Sequence, residues 1–193
     1  KKIRLAFFFL LTLPTTCCSS ARRARVIFFL LFSSFREIFV ALHCESRLHQ
    51  LTRCPIQVSG TATEGQILEA LRRYPNRPIY VQKCLYNLFR LTSYFSEARV
   101  DVIKLVLPGM RAHPQEFRVQ MAATACLYNL TKGELATKIH PSVLKQIVDL
   151  TLTAMESYPN HYQLQKNTLL TLCSDRILQD VAFDKYSICD AIA

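Results

Sequence analysis

Met110-Arg111-Ala112-His113-Pro114-Gln115 decides the fold, because the same text stands twice more, at Leu71-Arg72-Arg73-Tyr74-Pro75-Asn76 and Met155-Glu156-Ser157-Tyr158-Pro159-Asn160. Each copy gives an apolar residue, two spacers, an aromatic ring, a proline and an amide. Pro75, Pro114 and Pro159 lie 39 and 45 residues apart. Six or seven residues after each proline an apolar-Gln pair (Val81-Gln82, Val119-Gln120, Leu164-Gln165) opens another apolar stretch. Proline has no N–H to donate and pushes the preceding residue out of the helical region. Tyr74, His113 and Tyr158 are therefore predicted to end one helix, with a second starting just beyond.

Working outward, the flanks supply those helices. Before the breaks, Ile67, Leu68 and Leu71, then Val102, Ile103, Val106 and Leu107, then Val143, Leu144, Ile147, Val148, Thr151 and Met155 each form one helical stripe. After the breaks, Leu85, Leu88, Phe89 and Thr92, then Ala123, Cys126, Leu127 and Leu130, then Leu169, Leu170 and Leu172 form broader stripes, as inner helices packed on both sides would. A unit of about 40 to 47 residues without strand candidates has the armadillo/HEAT period, whereas tetratricopeptide units are shorter and near-constant. The fold class is thus all-α, an armadillo/HEAT-like helical repeat solenoid of about three repeats. Such units bury their apolar faces only by stacking, and they work through a groove of side chains.

Residues 1–54 differ. They hold eight of the twelve Phe, six of them in Leu5–Leu13 and Val26–Phe32, and nine Lys/Arg against Glu37 and Glu45, which is +7 of the net +10. Lys1-Lys2-Ile3-Arg4, the apolar run and Ser19-Ser20-Ala21 have the form of a signal peptide. A second apolar run follows at once, and neither run reaches the roughly 18 to 20 residues that span a bilayer. The preferred reading is translated non-coding sequence, ahead of a signal peptide or anchor. The division expected is a hydrophobic, basic segment over 1–54 that is not a native domain, and an armadillo-like array over 55–193. Lys1 in place of Met and the end at Ala193 suggest a piece of a longer protein. With only +3 left for 55–193, no nucleic-acid partner is expected, nor a membrane.

Chemistry is sparse. The four glycines, Gly60, Gly65, Gly109 and Gly133, form no phosphate-binding loop, and no G-x-S-x-G or H-E-x-x-H occurs. His113, His140 and His161 adjoin prolines or breaks and are expected as corner or cap residues; Asp175 and Asp180 straddle a helix end, where carboxylates cap. His43, Cys44, His49 and Cys54 lack the close pairing of a zinc site, so no metal and no cofactor is assigned. Cys84, Cys126 and Cys173 in apolar helical patterns are expected to be reduced core residues, hence an intracellular array, cytoplasmic and/or nuclear. Asn129-Leu130-Thr131 is a formal glycosylation sequon inside a helical stripe. A non-catalytic protein is expected.

The tetrapeptide Leu85-Tyr86-Asn87-Leu88 recurs as Leu127-Tyr128-Asn129-Leu130. Asn87, Tyr128 and Asn129 are the candidate groove residues, since an amide offers a peptide backbone both donor and acceptor. The other reading is that each Asn caps or bridges repeats. The run from about Gln57 to Tyr186, above all IQVSGTATEGQILEALRRYPNRPIYVQKCLYNLFRLT (56–92) and NHYQLQKNTLLTLCSDRILQDVAF (160–183), resembles the zyg-eleven family. That resemblance implies a substrate receptor of cullin-RING ubiquitin ligases, in which an armadillo-like array binds proteins with an exposed N-terminal glycine. It implies protein substrates as partners, with cullin and elongin subunits engaged through regions outside this chain, and makes the chain the start of that array. The family's glycine pocket uses a Leu-Trp-Asn-Leu-Thr-Asp type sequence. Tyr128 and Lys132 stand here where its Trp and acid would be, and Lys132 would repel a cationic amine, so the pocket is expected elsewhere. The alternative function is an armadillo/HEAT-type peptide-binding scaffold unrelated to ubiquitin.

Overall fold

The computed structural model describes residues 61–184, so the readings made of 1–54, including the His43/Cys44/His49/Cys54 group, lie outside the described residues. The described residues form helices and no strand: α1 (Glu64–Arg73), α2 (Pro78–Thr92), α3 (Val100–Ala112), α4 (Phe117–Thr131), a 3₁₀ turn η1 (Gly133–Lys138), α5 (Pro141–Ser157), α6 (Tyr162–Leu172) and α7 (Asp175–Asp180).

The helices start and stop for local reasons. Thr63 caps α1 in a capping box: its Oγ1 accepts from Gln66 N at 3.4 Å while Gln66 Oε1 accepts from Thr63 N at 2.9 Å. Proline opens α2 and α5 at Pro78 and Pro141, where the missing N–H costs nothing. The three proline corners share one backbone form. Tyr74, His113 and Tyr158 cap α1, α3 and α5 with φ between −127° and −130° and ψ between 46° and 58°. The rings pack over the corners, Tyr74 edge-on to Tyr80 at 5.2 Å and Tyr158 edge-on to Phe117 at 5.4 Å.

The units stack in two layers. α1, α3 and α5 form one; α2, α4 and α6 form the other, with α4 packed between α2 and α6 and against α3. Middle position explains why α4 is buried nearly all round, Val119, Ala123, Cys126, Leu127 and Leu130 among its enclosed residues. The first-layer stripes are likewise buried at Ile67, Leu71, Val102, Ile103, Val106, Leu107, Leu144, Ile147 and Val148.

Stacking is fixed by bonds that recur from unit to unit. His113 Nε2 meets the carbonyl of Pro75 at 2.7 Å, and one unit later Tyr158 Oη donates to the carbonyl of Pro114 at 3.1 Å. Each corner ring thus holds the corner before it. Within units, Gln120 Nε2 donates to the carbonyls of Met110 and His113, both at 2.8 Å, and Gln165 Nε2 to those of Met155 and Tyr158 at 2.7 and 3.0 Å. These are C-terminal carbonyls that α3 and α5 cannot satisfy themselves. The first unit departs from the pattern: Gln82 comes one residue later after its proline than Gln120 or Gln165, and buried Val81 takes the equivalent position.

Two features go beyond the sequence reading. Pro108 and Gly109 would ordinarily punctuate a turn, yet they continue α3. Pro108 is exposed, and Gly109 admits close packing, the position of a Cβ there falling 3.0 Å from Val81 Cγ1. The second unit is also longer. α5 has 17 residues against 13 in α3, and the link before α5 carries η1, turned at Gly133 with φ +56°.

Candidate functional site

The second-helix layer carries the residues expected to bind. On α2 the incompletely buried stripe is Ile79, Gln82, Lys83, Tyr86 and Arg90; on α4 it is Arg118, Met121 and Tyr128, continued by Lys132 at the C-cap. On α6 the matching positions are Gln163, Lys166 and Leu170.

Counted from the proline corners, the repeated tetrapeptides are not equivalent. α2 and α4 both start three residues after their prolines, so Leu85 is the eighth residue of its helix and Leu127 the eleventh of its own. Asn87 therefore corresponds to Cys126, and Asn129 to Arg90. The partners differ accordingly. Asn87 Nδ2 donates to the carbonyl of Lys83 on its own helix at 3.1 Å. Asn129 is only 4% exposed, and its Nδ2 donates to Thr92 Oγ1 at 3.2 Å, tying α4 to α2. Tyr128 is half-buried, and burial pushes its phenol above the ordinary tyrosine range, so it stays a neutral donor.

Lys132 Nζ donates to the carbonyl of Ser93 at 3.3 Å, and burial lowers its pKa. Lys166 is 5% exposed, and no hydrogen-bond acceptor or carboxylate among the described residues meets its ammonium; burial lowers its pKa too. Sequence reasoning passed over Lys166 because it sits inside an apolar run, Leu164 to Leu172. The legible signal was a lone charge in a helix without carboxylates.

The histidines hold corners and ends. His113 caps α3, His161 precedes α6 and stacks on Phe117 at 3.9 Å, and His140 caps α5, its Nδ1 accepting from Ser142 N at 3.2 Å. Asp175 lies in the first turn of α7. Asp180, expected as a cap, instead closes α7 in an ion pair with Arg176 at 2.6 Å. Cys84 and Cys126 are buried thiols outside any disulfide; the Cys126 thiol meets the carbonyl of Leu85 at 3.3 Å, and burial drives its pKa far above the ordinary thiol range. Cys173 differs from the expectation, being the partly exposed C-cap of α6. Among the described residues no group of His, Cys, Asp and Glu is placed to hold a metal ion, and no helix is long and apolar enough to cross a membrane.

Two layers of helix pairs joined by proline corners, each unit hydrogen-bonded to the one before, define an all-α helical-repeat protein. A protein-family profile described as "Protein zer-1 homolog-like, C-terminal domain" matches residues 108–192. Human "Protein zer-1 homolog" is 29% identical over 148 residues, covering 72% of this chain and 18% of the human protein. "Zyg eleven-related protein 1" of Caenorhabditis elegans is 29% identical over 147 residues, covering 74% and 16%, and the Drosophila melanogaster "Protein zer-1 homolog" is 26% identical over 151, covering 78% and 19%. No solved structure matches. The chain is similar to these zer-1 and zyg-eleven-related proteins, and it spans less than a fifth of the length of these curated relatives.

Proposed function

We propose that this chain is part of a substrate-recognition subunit of a cullin-RING E3 ubiquitin ligase, a non-catalytic adaptor that binds target proteins for ubiquitination. The family match over residues 108–192 carries the reading. The fold supports it: a stack stabilised by its own corner bonds has its remaining side chains free to meet another polypeptide. Cullin and elongin subunits are assigned to regions outside this chain, the site of work to the cytoplasm and/or nucleus, and the native array to residues 55–193. Asn87 and Tyr128 border the binding face in this reading, and Asn129 serves as the clamp between α4 and α2. The N-terminal-glycine pocket belongs to later repeats, because Lys132 here has a carbonyl partner and no acid stands in its place. The alternative remains an armadillo/HEAT-type peptide-binding scaffold unrelated to ubiquitin.

The test is affinity purification, from cells, of the longest product containing residues 55–193. Stoichiometric recovery of a cullin with elongin subunits is expected. Recovery of peptide-bearing partners with no cullin would replace the ligase reading by the scaffold.

A further inference from the structure

Charge is sorted by layer. The first helices, α1, α3 and α5, carry five carboxylates (Glu64, Glu69, Asp101, Asp149, Glu156) against five cations (Arg72, Arg73, Lys104, Arg111, Lys145). They pair locally: Arg72 and Arg73 with Glu69, Lys145 with Asp149, and the loop residue Arg99 with both Glu64 and Asp101. The second helices, α2, α4 and α6, carry Lys83, Arg90, Arg118 and Lys166 and no carboxylate, and Lys132 follows α4 directly.

The segregation is clearest at Lys166. A lysine whose stem is buried while its ammonium reaches the surface presents that charge at a confined position. The Lys166 stem is buried, its ammonium reaches water without a carboxylate among the described residues to pair it, and every second-helix neighbour within the layer is neutral or cationic. A surface whose own helices supply positive charge and no carboxylate is prepared for an anion.

We propose that the exposed face of the second-helix layer docks an acidic segment of a partner protein, with Lys83, Lys132 and Lys166 receiving its carboxylates. The proposal rests on the array being a protein-binding stack, whether ligase receptor or scaffold, and not on cullin association. A polypeptide fits better than nucleic acid for two reasons. The first layer is charge-balanced, five against five, so the array lacks the broad field that captures a phosphate backbone. The cations are separated by neutral side chains, Gln82, Met121, Tyr128 and Gln163 among them, which suits spaced carboxylates and peptide amides rather than continuous charge.

The experiment uses the 193-residue chain and a fluorescein-labelled, N-acetylated, C-amidated peptide alternating Glu with Leu and Ser, beside a copy with Gln for every Glu, at near-physiological salt. Anisotropy is expected to show binding of the Glu peptide and not of the Gln peptide. The double variant Lys83→Gln/Lys166→Gln should weaken binding by about tenfold or more, and Lys104→Gln/Lys145→Gln, an equal loss of charge on the first layer, by less than about twofold. Circular dichroism monitors folding, and Lys83→Gln alone, at a partly exposed position, serves if the double variant unfolds; it should still weaken binding more than Lys104→Gln. Equal weakening in both layers, or no binding of the Glu peptide, overturns the proposal. So does displacement of the Glu peptide by single-stranded oligothymidylate at lower concentration than by unlabelled Glu peptide, which would assign the face to nucleic acid. None of these outcomes alters whether a cullin is recovered from cells, so the two readings fail separately.

Discussion

Replacing Gln120 by Met removes the amide that closes the second corner while keeping the length and volume of the side chain. The side chain is 3% exposed and gives both its N–H bonds, at 2.8 Å, to the carbonyls of Met110 and His113. Each hydrogen bond contributes about 0.5 to 1.5 kcal/mol net, and a buried carbonyl left without a donor costs about 1 to 3 kcal/mol. The His113 carbonyl keeps a second donor, Glu116 N at 3.2 Å, so the larger penalty falls on Met110 alone. The expected loss is therefore about 2 to 3 kcal/mol. With a urea slope of about 2 kcal/mol per molar, the midpoint followed by circular dichroism should fall by roughly 1 M. Gln165→Met, whose amide is less deeply placed, should lose about 1 to 2 kcal/mol. Gln82→Met is the discriminating control. In the amino-acid sequence it aligns with the other two, but its register puts Val81 at the stapling position, so its loss should stay within about 0.5 kcal/mol. A midpoint for Gln120→Met indistinguishable from the parent, or a larger fall for Gln82→Met, would refute the staple.

Gln120→Glu adds a pH test: a carboxylate aimed at two carbonyl oxygens has its folded pKa raised above the unfolded value of about 4.3, so the variant should be most stable below that value and lose stability as pH rises through the raised folded pKa, a trend absent from the parent in parallel melts. Leu127→Ala and Leu169→Ala, both at enclosed positions, should each cost about 2 to 5 kcal/mol, whereas Arg72→Ala, an exposed partner of Glu69, should cost about 0.5 kcal/mol or less; equal losses in denaturant melts would break the assignment of layers. Gly109→Ala would gain about 1 kcal/mol of helix propensity but drives a methyl to 3.0 Å from the enclosed, stiff Val81, so a net loss of about 1 kcal/mol is expected, and a higher melting temperature would count against the close approach. A glycine-ended peptide titrated into this chain should not bind, its N-acetylated copy serving as control; micromolar binding abolished by acetylation would place an amine pocket within these repeats.

Much of the fold was legible because its decisive constraints are local. Pro75, Pro114 and Pro159 fix φ and remove a donor wherever they stand, so the three corners and the helices ending at Tyr74, His113 and Tyr158 follow from the chain order of residues. The stripes through Val102 to Leu107 and Leu144 to Val148 follow likewise, because burial imposes the helical period on side chains of any identity. The binding face was less legible, because a helix face depends on where the helix begins and each residue of shift turns a side chain by about 100°. Two identical tetrapeptides thus separated: Asn87 bonds its own helix, and Asn129 lies under α2 holding Thr92. The one-residue delay of Gln82 removed a staple for the same reason, and Pro108 lies inside α3 although proline ordinarily breaks a helix. The sorting of charge between layers existed in the residues from the start, but only stacking placed α2, α4 and α6 side by side, because neighbours in a layer come from segments about 40 residues apart and are brought together by burial rather than by sequence.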